Sequence, residues 1–304
     1  MKKISGIIAA LLAAVMLTGC GENSVSSLPS EILVPDGSTA EAPAGEFPVK
    51  LEGGTVIEAS PKRAASLSPA ATEIIAELGY ADRLCAVSRY CDYPEGLPEV
   101  TAGSSENPDI DRLTELAPEV VFTMSALAER EVYALESAGI KVVTFTVPES
   151  VEEYGELYGT AAAVFGGVQA GKAAAEKAVA DLKEESGKAD LGTFIYVTPK
   201  LTTAGTDTFE GEVLSLCGKN LCGESGYVEE PEQLDEAPEY IVAADSLTES
   251  DIASDQRYAG YVSAGAKLVF VPAARFERPS GRLKDVFTAI SEQLSGGDGT
   301  VQAE

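Results

Sequence analysis

Apolar and polar positions along this chain alternate in blocks of two kinds. Short apolar runs at 64–67, 84–87, 120–123 and 141–146 read as strands, and between them lie stretches of helical character at 70–78, 107–116 and 126–138. The helices carry local start and stop signals. Ser68-Pro69 and Asn107-Pro108 each set a capping residue before a proline, Gly79 and Gly139 close two helices, and Pro118 stops a third. Ahead of them, 47–52 and 55–59 flank Gly53-Gly54, which reads as a hairpin turn. Strand and helix in alternation predict an α/β lobe with a mainly parallel sheet.

From 150 to 187 the pattern changes to Ala, Glu and Lys without proline, so this segment reads as a long helical connector that Gly166-Gly167 breaks or kinks. Alternation then resumes, with strands at 194–197, 241–244 and 267–271 and helices at 210–217 and 281–294. An echo links the halves. Ala117-Pro118-Glu119 and Ala237-Pro238-Glu239 each read as a helix end, a turn and the entry to a strand. The expected organisation is a lobe at 47–149, a connecting helix at 150–188 and a second lobe at 189–295.

The ends of the chain do not read as parts of this fold. Lys2 and Lys3 precede a short apolar run, and Leu17-Thr18-Gly19-Cys20 then looks like the lipobox of a bacterial lipoprotein. Residues 1–19 are expected to be a signal peptide, and the mature chain to begin at an acylated Cys20 facing the outside of the cell membrane. Residues 20–46, rich in Ser, Pro, Gly and Ala, read as a flexible tether, and 296–304 as a loose tail.

Composition narrows the chemistry. With 49 acidic against 22 basic residues the net charge is -27, which repels phosphate backbones and anionic headgroups, so no nucleic acid partner is expected and membrane contact only through the lipid. The chain has no His, which removes imidazole-based catalysis and His-ligated metal centres, and no metal site or cofactor is expected. An exported enzyme would have to work with paired carboxylates; most acids lie on helix surfaces or in the tether, and no catalytic residue is expected. Four cysteines remain beside Cys20. Cys85 with Cys91 and Cys217 with Cys222 are the simplest disulfide pairs, with free buried thiols and a four-cysteine zinc site as alternatives.

Several segments, taken in order, are more specific. Ser66-Leu67-Ser68-Pro69-Ala70-Ala71-Thr72-Glu73, then Ser88-Arg89-Tyr90-Cys91-Asp92-Tyr93-Pro94, then Pro108-Asp109-Ile110-Asp111-Arg112-Leu113 and Ala117-Pro118-Glu119-Val120-Val121 resemble the cobalamin- and iron-siderophore-type binding proteins of ABC importers. The resemblance runs from about Pro61 to Leu294. It implies two α/β lobes joined by a long backbone helix, a ligand cleft between the lobes, and permease and ATPase subunits as partners. Ser68, Pro69, Tyr90, Thr203, Gly205, Arg275, Phe276 and Arg278 are the expected ligand-contacting residues, and Tyr93 reads equally well as part of a packed turn. Aromatic faces suit a flat macrocycle, and guanidinium groups suit its amides or acids.

The expected ligand is a corrinoid, with a ferric siderophore or haem as the alternative. Cobalamin-binding relatives use tryptophans in the cleft, and this chain has none. A ferric catecholate is strongly anionic and is opposed by the charge of the chain, whereas a corrinoid carries little net charge. The resemblance also implies one acidic residue on the outer surface of each lobe that pairs with permease arginines. Asp111 fits the first position, and Glu232 is the nearest match for the second, with Glu230 as a rival.

Overall fold

The computed structural model describes residues 46–296. The expected signal peptide, Cys20, nearly all of the tether and residues 297–304 of the tail lie outside the described residues. A small antiparallel ladder, β1 (Val49–Lys50) with β2 (Val56–Ile57), opens the fold around the predicted glycine turn.

The first lobe is a four-stranded parallel sheet in the order β4-β3-β5-β6, from β3 (Ala64–Ser66), β4 (Leu84–Val87), β5 (Val120–Thr123) and β6 (Lys141–Thr144). Every residue of β3 and β5 is buried, as central strands covered on both faces require. One face carries Ala65, Ala86 and Val121 toward Leu113 of α2 (Ile110–Leu116) and Leu135 of α3 (Glu129–Ser137). The other carries Ala64, Val87 and Phe122 toward Ile74 and Ile75 of α1 (Pro69–Glu77). Asp109, not Asn107, caps α2, its carboxylate accepting from the Arg112 N–H at 3.0 Å.

The connector is helical throughout, as α4 (Val151–Gly166) and α5 (Val168–Ser186), and the expected break falls at Gly167, where φ is 90°. The pair folds back antiparallel: Gly155 faces Val179, and Gly171 meets Ala163 with no room for a side chain at either glycine. At 19 residues α5 is roughly 28 Å long, enough to carry the chain from one sheet to the other.

The second sheet runs β10-β8-β7-β11-β12, from β7 (Thr193–Val197), β8 (Thr203–Ala204), β10 (Tyr227–Val228), β11 (Tyr240–Ala244) and β12 (Lys267–Val271), with β9 (Lys219–Asn220) also on β7. β7, β11 and β12 are parallel, while β8 pairs antiparallel with β7 and with β10. Its helices are α6 (Phe209–Leu214), α7 (Glu249–Ser254), α8 (Ala259–Ser263), the one-turn α9 (Ala274–Glu277) and α10 (Asp285–Ser295). One apolar core, including Phe122 and Phe165 on one side and Phe194, Val242 and Phe287 on the other, runs continuously through both lobes and the helical pair.

The internal echo is structural at the strand entries. Glu119 and Glu239 precede the central strands β5 and β11, and their carbonyls accept from Lys141 and Lys267, which begin the neighbouring strands, at 3.0 and 2.9 Å. The helix expected before Pro238 is absent, and residues 231–238 run without regular structure between Pro231 and Pro238.

Candidate ligand cleft

The loops that leave the C-terminal ends of both parallel sheets meet across the molecule. From the first lobe come the turn at Ser68-Pro69, the loop after β4 and the loop after β6; from the second come the turn before α6, the β10 strand and residues 272–282 after β12. Crevices at the carboxyl ends of parallel strands are where α/β proteins place ligands.

Exposed aromatic rings stand on both sides. Tyr90 is 54% exposed, Tyr93 42% and Tyr227 55%. The Arg89 guanidinium lies 5.4 Å from the centroid of the Tyr90 ring. The loop that carries Tyr90 is tied down by the Cys91 N–H to Ser88 carbonyl bond at 3.0 Å and by Cys91 Sγ against Thr72 Oγ1 at 3.1 Å. Burial pushes the Cys91 thiol up, partly offset by the Thr72 hydrogen bond.

The second-lobe side is acidic. Tyr227 donates its hydroxyl to Glu210 at 2.6 Å. Burial raises the Tyr227 phenol, and so do the Glu210 bond and charge and the Glu149 carboxylate from the opposite lobe. Beneath it, burial holds the phenol of Tyr196 far up, with Glu210, Tyr227, Asp245 and Glu277 adding to the effect. Carboxylates at such a position can accept hydrogen bonds from amide groups, and they oppose further negative charge.

The residues expected from sequence separate into groups. Tyr90 is exposed at the mouth. Ser68 is 5% exposed and stands at the start of α1, but its hydroxyl makes no capping bond; its carbonyl accepts from Ser66 Oγ at 3.0 Å, and Pro69 beside it is half-buried. Arg278 reaches across the cleft to Asp92 at 3.1 Å, and Arg275 is held by Asp285 at 2.8 Å.

Three of the expected ligand contacts need correction. Phe276 is no open anchor, since it is 4% exposed and packs on Tyr196 and Phe209 with ring centroids 5.7 and 6.3 Å away. Thr203 is buried in β8 with its hydroxyl 3.0 Å from that of Tyr258, and Gly205 donates its N–H to the Gly226 carbonyl at 2.9 Å, with the Glu224 carbonyl filling the space of a side chain. Both serve the β8–β10 pairing that presents Tyr227. Among the described residues the four cysteines are free thiols, one of the alternatives that the sequence leaves open, with neither close pair bridged.

Asp111 and Glu232 both lie on the surface. Asp111 is exposed on α2 and borders a polar cavity of about 540 Å³ that Arg89 and Asp109 also line. Glu232 is exposed in a loop rather than a helix, its N–H held by Glu224 at 2.7 Å. Glu230 is exposed in the same loop. Among the described residues no helix is long and apolar enough to cross a membrane. Tyr227 and Glu210 had no signal in the sequence beyond residue type, because each acquires its place only through pairing across the fold.

Residues 65–247 match the model of the family described as periplasmic binding protein. The uncharacterized ABC transporter substrate-binding lipoprotein YvrC of Bacillus subtilis (strain 168) is 30% identical over 272 residues, 81% of this chain and 82% of that one. The vitamin B12-binding protein of Yersinia pestis (strain Pestoides F) is 26% identical over 202 residues, 62% of this chain and 72% of that one. The fold is shared with the periplasmic haem-binding protein HutB of Vibrio cholerae, at a TM-score of 0.59 and 18% identity, over 76% of this chain and 98% of that one. These relatives are solute-binding proteins, and with a two-lobed α/β fold, loops meeting between the lobes and the family match, the chain belongs to the periplasmic binding protein family, the extracytoplasmic solute-binding class of ABC importers.

Proposed function

We propose that this protein captures a corrinoid of the cobalamin type between its lobes and delivers it to an ABC permease and its ATPase, held at the membrane by acyl chains on Cys20. The observation that carries the ligand is the pair of exposed rings, Tyr90 on the first lobe and Tyr227 on the second, the latter bonded to the Glu210 carboxylate. Flat apolar faces stack on a macrocycle, and Glu210 can accept from the amide fringe of a corrinoid. The propionates of haem or the catecholate oxygens of a siderophore would meet Glu210, Glu149, Asp245 and Glu277 instead, and the overall charge of -27 adds to that repulsion. The similarity to a vitamin B12-binding protein supports the same reading.

One observation favours haem as a second reading. Tyr90 is exposed beside Arg89, and an open phenol next to a guanidinium is a fit axial ligand for ferric haem. Titration of the soluble domain with cyanocobalamin, haem and a ferric siderophore, read by visible absorption, separates these. Stacking tolerates Tyr90→Phe and loses about 1–3 kcal/mol in Tyr90→Ala. Absence of corrinoid binding beside tight haem binding that Tyr90→Phe abolishes would transfer the assignment.

The lipid anchor rests on the lipobox. Cys20→Ala should move the protein from the membrane fraction to a soluble or uncleaved form, and a variant still acylated would refute the anchor. Docking is assigned to Asp111 on the first lobe and Glu232 on the second, with Glu230 as the neighbouring rival. Two acids on separate lobes can be gripped together by a permease dimer, which fixes orientation through charge.

A further inference from the structure

Behind the tyrosines the lobes meet along a buried polar seam. Glu73 and Glu77 stand one turn apart on α1 and face residues 280–282 of the second lobe. Glu73 is 1% exposed; its Oε2 accepts from Ser280 Oγ at 2.5 Å, while Oε1 accepts no hydrogen bond among the described residues. The compensation for that atom is the Arg282 guanidinium, 3.5 Å away. A buried carboxylate is costly unless a cation lies against it, so Arg282 is drawn to this point. The turn around it is fixed from both sides, since Gly281 donates its N–H to Glu77 at 3.0 Å and the Ser280 carbonyl accepts from the Tyr154 hydroxyl at 3.1 Å.

The same guanidinium lies 4.8 Å from the centroid of the Tyr93 ring. Tyr93 belongs to the loop that also carries Tyr90, and a second arginine of the same segment, Arg278, holds Asp92 in that loop. Arg282 thus has two neighbours on the first lobe, a buried acid on α1 and an exposed ring on the cleft loop. A planar cation over an aromatic face is attracted to the ring and limits its rotation.

We infer that Arg282 is a positioning residue of the cleft: anchored by Glu73, it holds Tyr93, and with it the tyrosine loop, in the geometry that receives the ligand. The inference rests on the corrinoid reading for the identity of the ligand only. The link from Glu73 through Arg282 to Tyr93 lets the second lobe order an aromatic wall on the first without touching the ligand.

The test compares Arg282→Lys, which keeps a cation for Glu73 but removes the planar face, with Arg282→Met, which removes both, and with Tyr93→Leu. Dissociation of cyanocobalamin is followed by stopped flow, and near-ultraviolet circular dichroism is recorded on the ligand-free proteins. Arg282→Lys is expected to melt within about 2 °C of the parent, to release ligand about tenfold faster with little change in association, and to lose the tyrosine band that Tyr93→Leu also loses. Arg282→Met should show the same band loss together with reduced stability. A parent-like band or dissociation rate in Arg282→Lys would overturn the inference, as would loss of affinity only in step with melting temperature. If the parent protein takes up no corrinoid, the ligand reading fails, and the tyrosine band of ligand-free Arg282→Lys still decides whether Arg282 holds Tyr93.

Discussion

Truncation of Phe276 to alanine separates a core ring from a ligand anchor. The side chain is 4% exposed and lies between Tyr196 and Phe209, so nearly its whole surface is removed from water and two aromatic contacts are lost together. Core Phe→Ala changes cost about 3–5 kcal/mol, a figure that includes the cavity left behind. At roughly 2–4 °C per kcal/mol for a chain of this size, the melting temperature of the soluble domain should fall by roughly 10 °C. Phe276→Leu keeps apolar volume at the site and should cost less, on the order of 1–2 kcal/mol. Urea unfolding and thermal melts measure these losses, and ligand affinity is taken well below the melting range, where it should stay within about twofold of the parent. A stability loss under about 1 kcal/mol with a tenfold loss of affinity would refute the reasoning, because it would mean that the ring faces the ligand.

Three further outcomes are expected. Burial pushes the Cys217 thiol up to about 12, so in the folded soluble domain it should react with iodoacetamide far more slowly than the partly exposed Cys85; mass spectrometry after unfolding without reductant should count four alkylated thiols, and a mass showing two disulfides would contradict this. The Glu77 carboxyl is held above 4.5 chiefly by burial, so the folded state binds its proton more tightly than the unfolded state; stability from this group is present below 4.5 and is lost as pH rises through the folded value. Urea midpoints taken from about pH 4 to about pH 7 should therefore decline in the parent relative to Glu77→Gln, and a difference of opposite sign would refute the assignment. Asp111→Lys with Glu232→Lys should abolish uptake and transporter-stimulated ATP hydrolysis while leaving ligand affinity unchanged; normal uptake, with Glu230 also changed, would exclude docking at these acids.

Much of the scaffold is written in local sequence. Strands at 84–87, 120–123 and 267–271 are legible because a parallel strand in a sheet covered by helices shows a continuous apolar run, and Gly79, Gly139 and Gly167 mark helix ends that need positive φ. The absence of His and the excess of acid bound the chemistry before any fold is known. The cleft is another matter. Phe276 follows a strand as a ligand-facing aromatic would, yet the single turn of α9 carries it inward onto Tyr196 and Phe209. Tyr227 reaches the mouth on a two-residue strand whose partner, β8, lies more than twenty positions earlier, and no local period marks so short a pairing. Glu73 reads as one polar residue in a helix motif, but Ser280 and Arg282, some two hundred positions away, decide that it is buried and charge-compensated. Periodicity reports which face of an element is covered by its own sheet; which side chains meet across two lobes depends on how those lobes are docked, and only the tertiary structure decides that.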